Sequence, residues 1–438
     1  MSVPSALALR GPAAFLRGDP FLEAPEQALS WESDARLVMR HGCIAAFGPA
    51  ASTALPEGVS EILLGHRLMV PGFIDCHVHY PQLGVIGAMG HGLLPWLERH
   101  TFPAERELAD PAMARSLATR FVAELARNGT TTAAVYGSVH AHSVDALFEA
   151  AQGSGLQLIA GKSLMDRNAP PGLTDDARGG CAETEALIGR WHGRGRFGCA
   201  VTVRFLGTSS PAQLEAAADL WRRHPGTWLQ SHLAEDRDEL ALTARLFPDT
   251  RDYTDVFDRF GLLGRRAVFG HGIHLSDRER ARLAEAGAAL AHCPTSNLFL
   301  GSGLFDAAAA RAAGVAVGLA SDVGAGTTLS MLATMGAAYQ VARLRGALLS
   351  PAHLLWMATA GAAQALDLTG RTGNLAAGLD ADVVVLDPRA TPLLALRSAR
   401  ARDAGELLGV LMTCGDDRAI HSVVAGGRQA WVRAAPSC

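Results

Sequence analysis

Between Leu68 and about Leu368 one pattern repeats eight times: a short apolar, β-rich run, then an amphipathic helical stretch. The runs fall at 68–79, 129–137, 156–165, 197–205, 227–235, 267–273, 288–297 and 316–323. Such alternation predicts βα units and a parallel sheet. Eight repeats favour a closed α/β fold, the (β/α)8 TIM barrel, over an open doubly wound sheet. The helical stretches carry their own punctuation. PAMARSLATRFVAELARNG has Pro111 near its start and Gly129 past its end, and SDRERARLAEAG has Ser276 as N-cap and Gly287 as terminator. SMLATMGAAYQVARL supplies the last long barrel helix.

The chain ends read differently. LVMRHGCIAAFG is a hairpin pattern closing on Gly48-Pro49, and ADVVVLDP and HSVVAGGRQAWVR return to strand character. The expected division is a β-sandwich domain built from residues 1–66 and 371–438, flanking a barrel over 67–370.

At 49% apolar and 19% charged, the chain has the composition of a soluble globular protein. A net charge of −4 provides no basic surface for a nucleic-acid polymer. No apolar run approaches the roughly 20 residues that span a bilayer. Arg10 interrupts the apolar N-terminus, which reads as mature protein rather than a signal peptide. Seven cysteines without Cys-x-x-Cys fit reduced thiols and a cytoplasmic location. Lys162 is the one lysine among 39 basic residues, and either an ion pair at the barrel rim or a pocket role would account for it.

Five metal-competent side chains end four of the apolar runs: His77 and His79 in PGFIDCHVHYPQ, His232, His271 and Asp322. A strand points residues i and i+2 to one face, so His77 and His79 can aim at one point. Imidazoles with a carboxylate suit Zn²⁺ or a similar first-row metal. Ligands spread over the C-terminal ends of strands match a barrel with its site at one rim. Glu235, three residues after His232, is either a proton carrier beside an activated water or a solvated acid at a helix start. Asp322 is either a ligand or the N-cap of the next helix. His271 is either a further ligand or a hydrogen-bond partner of the water.

Other motifs weigh less. His140-Ala141-His142 has no further ligands assigned to it and reads as loop or pocket-rim histidines. Gly193-Arg-Gly-Arg-Phe-Gly198 matches Gly-x-Gly-x-x-Gly but precedes a strand, the wrong order for a dinucleotide site.

PGFIDCHVH, the later His, His and Asp, and the closing GLDADVVVLD resemble the amidohydrolase superfamily over nearly the whole chain. HVHYPQ, LLPWLERHTFPAE, NGTTTA, GKSLMD, SHLAEDRDE, DYTDVFDRFGLL and HCPTSNLFLGSG are similar, within it, to the guanine deaminase family. The resemblance implies hydrolysis of guanine to xanthine and ammonia, with one Zn²⁺ per subunit, or Fe²⁺ in its place, on His77, His79, His232 and Asp322. It implies Glu235 as proton shuttle, His271 as partner of the bound water, and Gln82, Arg204, Phe205 and Trp96 around the purine. It also implies a homodimer. The run CAVTVRF lacks the lysine that bridges two metals in dinuclear relatives, which favours one metal. Where the family has Pro before the Arg-Phe pair, this chain has Val203. Another aminated heterocycle, such as 8-oxoguanine, a pterin or a triazine, is the alternative substrate. A catalytically dead scaffold would have lost ligands, and all five positions are filled.

Overall fold

A computed structural model describes residues 6–90 and 92–434 of the 438-residue chain. Met1–Ser5, where the reading of a mature N-terminus begins, and Cys438 lie outside the described residues.

Eight parallel strands follow one another in sequence order: Phe73–His79, Thr130–Tyr136, Gln157–Gly161, Phe197–Val203, Trp228–Leu233, Ala267–His271, Ala289–His292 and Ala316–Leu319. The first and last meet at the C-terminal rim. There the Asp322 amide donates to the His77 carbonyl at 2.9 Å and the His79 amide to the Val323 carbonyl at 2.9 Å. This is the expected (β/α)8 barrel. The interior is filled by small and branched side chains, among them Ile74, Ala134, Ile159, Ala200 and Val268. Its base is closed by Trp228, whose indole N–H donates to the Leu366 carbonyl at 2.8 Å.

The helices bury the faces their sequences mark. Pro111–Arg127 buries Ala114, Ala118, Phe121, Val122 and Leu125, one stripe at helical spacing, and Asp110 caps it by accepting from the Ala112 amide. A fully buried side chain such as Phe121 contributes about 1.5–3 kcal/mol. Ser276 and Glu279 form a capping box for Asp277–Ala286, which Gly287 ends at φ +73°.

All eight strands are shorter than the runs that predicted them, and in three the physical reason is plain. The run 68–79 divides: Leu68–Pro71 pairs antiparallel with Val383–Leu386, and only Phe73–His79 enters the barrel. Gly72 is the crossing point, where a Cβ would lie 2.2 Å from Thr131 Oγ1, so no larger residue fits. The run 288–297 stops at His292, because Pro294 lacks an N–H for the ladder and instead opens the helix Pro294–Leu300. The run 316–323 stops at Leu319, leaving Asp322 on the loop beyond.

The β-layer from both chain ends is one eight-stranded mixed sheet. Its order is Arg428–Val432, Ile420–Ala425, Val383–Leu386, Leu68–Pro71, Ala6–Leu16, Leu29–Arg40 and Cys43–Pro49, with Ser60–Leu63 also pairing with Ala6–Leu16. The hairpin turn is His41-Gly42, at φ 51° and 84°, the positive pair that a two-residue connection of this hand requires. Leu37, Met69, Val383 and Val385 belong to the sheet's own core.

Among the described residues no helix is long and apolar enough to cross a membrane, and the six described cysteines are free thiols. Gly193–Gly198 follows the helix Ala177–Trp191 and runs into the strand Phe197–Val203, a turn entering a strand.

Candidate active site

Four side chains converge at the C-terminal rim. His77 and His79 project from the first strand, His232 from the fifth, and Asp322 from the loop after the eighth. His79 Nε2 stands 3.1 Å from His77 Nε2 and 3.2 Å from His232 Nε2. Asp322 Oδ1 is 3.2 Å from His77 Nε2 and 3.4 Å from His79 Nε2. Ligand atoms at about 2 Å from a tetrahedral zinc ion stand about 3.3 Å apart, so the donor set fits one such ion. His232 Nδ1 faces the Arg204 carbonyl at 2.6 Å, which holds the proton on Nδ1 and leaves the Nε2 lone pair for the cage. Burial keeps the rings neutral: it lowers His77, takes His79 down to about 3, and with His77 and His79 nearby holds His232 well below its ordinary value.

Asp322 has φ +49° and does not cap the next helix, whose N-cap is Ser330. Its loop is pinned from the first strand. Buried Asp75 accepts from the Ser321 amide at 3.0 Å and from the Ser321 hydroxyl. Burial raises the Asp322 carboxyl, but hydrogen bonds from His77 and His79 and the neighbouring His271 outweigh it and hold the group well below the carboxylate range.

Glu235 and His271 stand beside the cage. His271 Nε2 lies 3.3 Å from Glu235 Oε2 and 3.8 Å from Asp322 Oδ2, outside the four-donor group. Its Nδ1 faces Asn297 Oδ1 at 2.9 Å, which orients the ring, and buried Nε2 has no hydrogen-bond partner among the described residues. The Glu235 carboxyl is pushed well above its ordinary value by burial, then by Asp322 and Glu239. Ser302 donates to its Oε1 at 3.2 Å. The two carboxyls that flank His271 Nε2 are thus shifted in opposite directions, an arrangement suited to acid–base chemistry.

A narrow cavity opens from the cage. His79, Gln82, Trp96, Arg204, Phe205, Glu235, His271 and Asp322 line it, with Glu239 among others. His232 lines it too, and His77 lies behind the lining in the cage, so the candidate residues meet in one place. Phe205 is 6% exposed and Trp96 only 2%, so the tryptophan is at once pocket wall and core. Val203 before Arg204 leaves the arginine in the lining.

Lys162 takes the ion-pair option, with Nζ 2.7 Å from Asp175 Oδ2 and 2.9 Å from Glu183 Oε2, outside the cavity lining. His140 and His142 stack on each other, and His142 Nε2 meets the Leu108 carbonyl at 2.7 Å. Neither joins a metal-competent group among the described residues.

Sequence reasoning missed Glu105. It lies in the short helix Phe102–Arg106, fully buried, and accepts from Gln82 Nε2 at 2.9 Å and from Arg204 Nη1 at 2.5 Å. Asn297, Ser302 and Asp75 were also missed. Glu105 and Asn297 stood inside segments whose pattern was recognised, but no periodicity marks a buried polar residue in a loop or a short helix.

A parallel β/α barrel bearing three imidazoles and a carboxylate at its C-terminal rim belongs to a class of metal-dependent hydrolases. The sequence profile of the amidohydrolase family matches residues 68–430, and the chain belongs to that family. It is similar to guanine deaminase of Escherichia coli K12, with 43% identity covering 97% of this chain and 98% of that protein. Among solved structures, E. coli guanine deaminase superposes with a TM-score of 0.94 at 42% identity, covering 98% of this chain and 100% of the other. A guanine deaminase from C. acetobutylicum, with guanine bound in its active site, superposes with a TM-score of 0.88 at 28% identity, covering 97% and 99%.

Proposed function

We infer that the chain is a metal-dependent guanine deaminase, hydrolysing guanine to xanthine and ammonia. One observation carries the reading: the cage, Glu235 and the Gln82–Arg204 pair share a single small cavity. Identity of 43% to a guanine deaminase, over 97% of the chain, supports it.

His77, His79, His232 and Asp322 would hold the ion. Zinc is the ion proposed, on the strength of three imidazoles and one carboxylate whose neighbouring donor atoms stand 3.1–3.4 Å apart, with Fe²⁺ the alternative to be excluded by metal analysis. When bound, the ion lowers the pKa of a water molecule toward neutrality. The remaining steps belong to the chain. Arg204 and Gln82 hold the purine edge; the guanidinium fork matches an O6/N7 acceptor pair. Phe205 and Trp96 cover the ring, and the buried wall excludes bulk water. Water adds to C2 on the face turned toward the four donors. Asp322 and Glu235 take up its protons, and His271 Nε2 orients it. Glu235 then delivers protons to N3 and to the departing amine, so that one water is consumed and one ammonia leaves. Its raised proton affinity suits it to carry a proton between these atoms.

A cytoplasmic homodimer acting in purine catabolism completes the proposal. The free cysteines support a reducing compartment. Sedimentation of the metal-replete protein tests the dimer.

The deciding experiment is a substrate panel on metal-replete protein: guanine, adenine, cytosine, 8-oxoguanine and pterin, followed by ultraviolet absorbance. Fast turnover of guanine is expected. Negligible guanine turnover beside fast turnover of another ring would overturn the reading.

A further inference from the structure

Arg204 is 2% exposed, and a guanidinium in such a place requires a compensating charge. Glu105, fully buried, supplies it. The same carboxylate also reaches the second purine-binding candidate. Its Oε2 takes Arg204 Nη1 at 2.5 Å and its Oε1 takes Gln82 Nε2 at 2.9 Å. At the other end of the Gln82 amide, Oε1 accepts from the Gly324 amide at 3.2 Å. Flipping that amide would set its oxygen against the carboxylate and its NH₂ against an N–H, so its orientation is determined. The Arg204 guanidinium is held from a second side by the Phe102 ring, 5.5 Å from Cζ to centroid. Among the described residues its other nitrogens take no side-chain or backbone acceptor, which leaves them for a ligand.

We propose that Glu105 is the positioning and specificity residue of this pocket: it fixes the donor directions of Gln82 and Arg204 and cancels the charge of Arg204, so that the site selects an uncharged purine bearing an acceptor edge. Arg204 without Glu105 would be a bare buried cation, and a bare cation favours anionic rings. With Glu105 in place the edge offers directed donors and no net charge. The proposal rests on the reading of the site as a purine deaminase.

The test compares guanine with 8-azaguanine, which has the same outline but a more acidic five-membered ring and is anionic at mildly alkaline pH. Wild type and Glu105→Gln are assayed on both, with metal content and circular dichroism recorded. Guanine kcat/KM is expected to fall by about 30-fold in Glu105→Gln, chiefly through KM, while 8-azaguanine loses far less, so that the preference shifts toward the anion by about tenfold. Equal losses on the two rings would mean a merely structural role and would overturn the proposal. Should Glu105→Gln not fold, the double variant Glu105→Gln/Arg204→Gln removes both charges together. Its preference is expected to stay near that of wild type, and a shift toward the anion would again overturn it. Absence of guanine turnover in the wild type would instead sink the deaminase reading. In that case calorimetric binding of the same two rings still decides the role of Glu105.

Discussion

The backbone carbonyl of Arg204 accepts a hydrogen bond from Nδ1 of His232 at 2.6 Å. The residue whose side chain is proposed to hold the purine would therefore also fix, through its backbone, the tautomer of a proposed metal ligand. The His232 amide adds a second bond to the same carbonyl at 3.1 Å. Substrate edge and cage are thus set by one stretch of backbone, and the distance between them is not free to vary.

Glu235→Gln preserves the shape of the cavity and the hydrogen bond from Ser302 while removing the proton carrier. Metal content should be unchanged and kcat should fall by about 10²–10⁴-fold. Turnover near the wild-type rate would show that another group moves the proton.

Asn297→Leu deletes the acceptor that orients His271. The four-donor cage does not include His271, so metal content should hold while kcat drops by about 10–100-fold. Loss of the metal together with activity would mean that His271 belongs to the cage after all.

Removing the ion with a chelator leaves three imidazoles and a carboxylate crowded within 4.8 Å of one another. Activity should vanish and return with Zn²⁺. Stability should fall by about 4 kcal/mol if the free ion had stood near a thousand times its Kd. A chelated protein with unaltered denaturation midpoint would place the ion elsewhere.

Lys162→Met strips Asp175 of its cation, although Met165 and Gln213 still donate to it. Burial already raises the proton affinity of that carboxyl. Glu183 is 54% exposed and water takes over its share, so a loss near about 3 kcal/mol is expected, the low end for a broken buried pair. Guanine kcat/KM should stay within about twofold at low temperature, since Lys162 lies outside the cavity lining. A large fall in kcat/KM at full stability would return Lys162 to the pocket.

Much of this molecule was legible in one dimension. The eight βα repeats were legible because barrel strands buried on both faces read as continuous apolar runs, while the helices between them bury one stripe at helical spacing. The His-x-His of Phe73–His79 and the later His232, His271 and Asp322 were visible for a related reason: each closes or closely follows an apolar run, and strand ends are where a barrel gathers its chemistry. Run lengths were less legible. At Gly72 the chain changes sheets with no break in apolar character, and only the crowding by Thr131 and Asp382 reveals the crossing.

What tertiary structure alone decided concerns partners rather than elements. That His271 lies beside the four-donor group and within reach of Glu235 and Asp322, that Lys162 meets Asp175 and Glu183, and that Glu105 joins Gln82 to Arg204 all depend on residues far apart in sequence. Residue type announces that a buried Glu, Lys or Arg needs a partner. It does not say which one, because that is set by the packing of separate loops over one barrel rim.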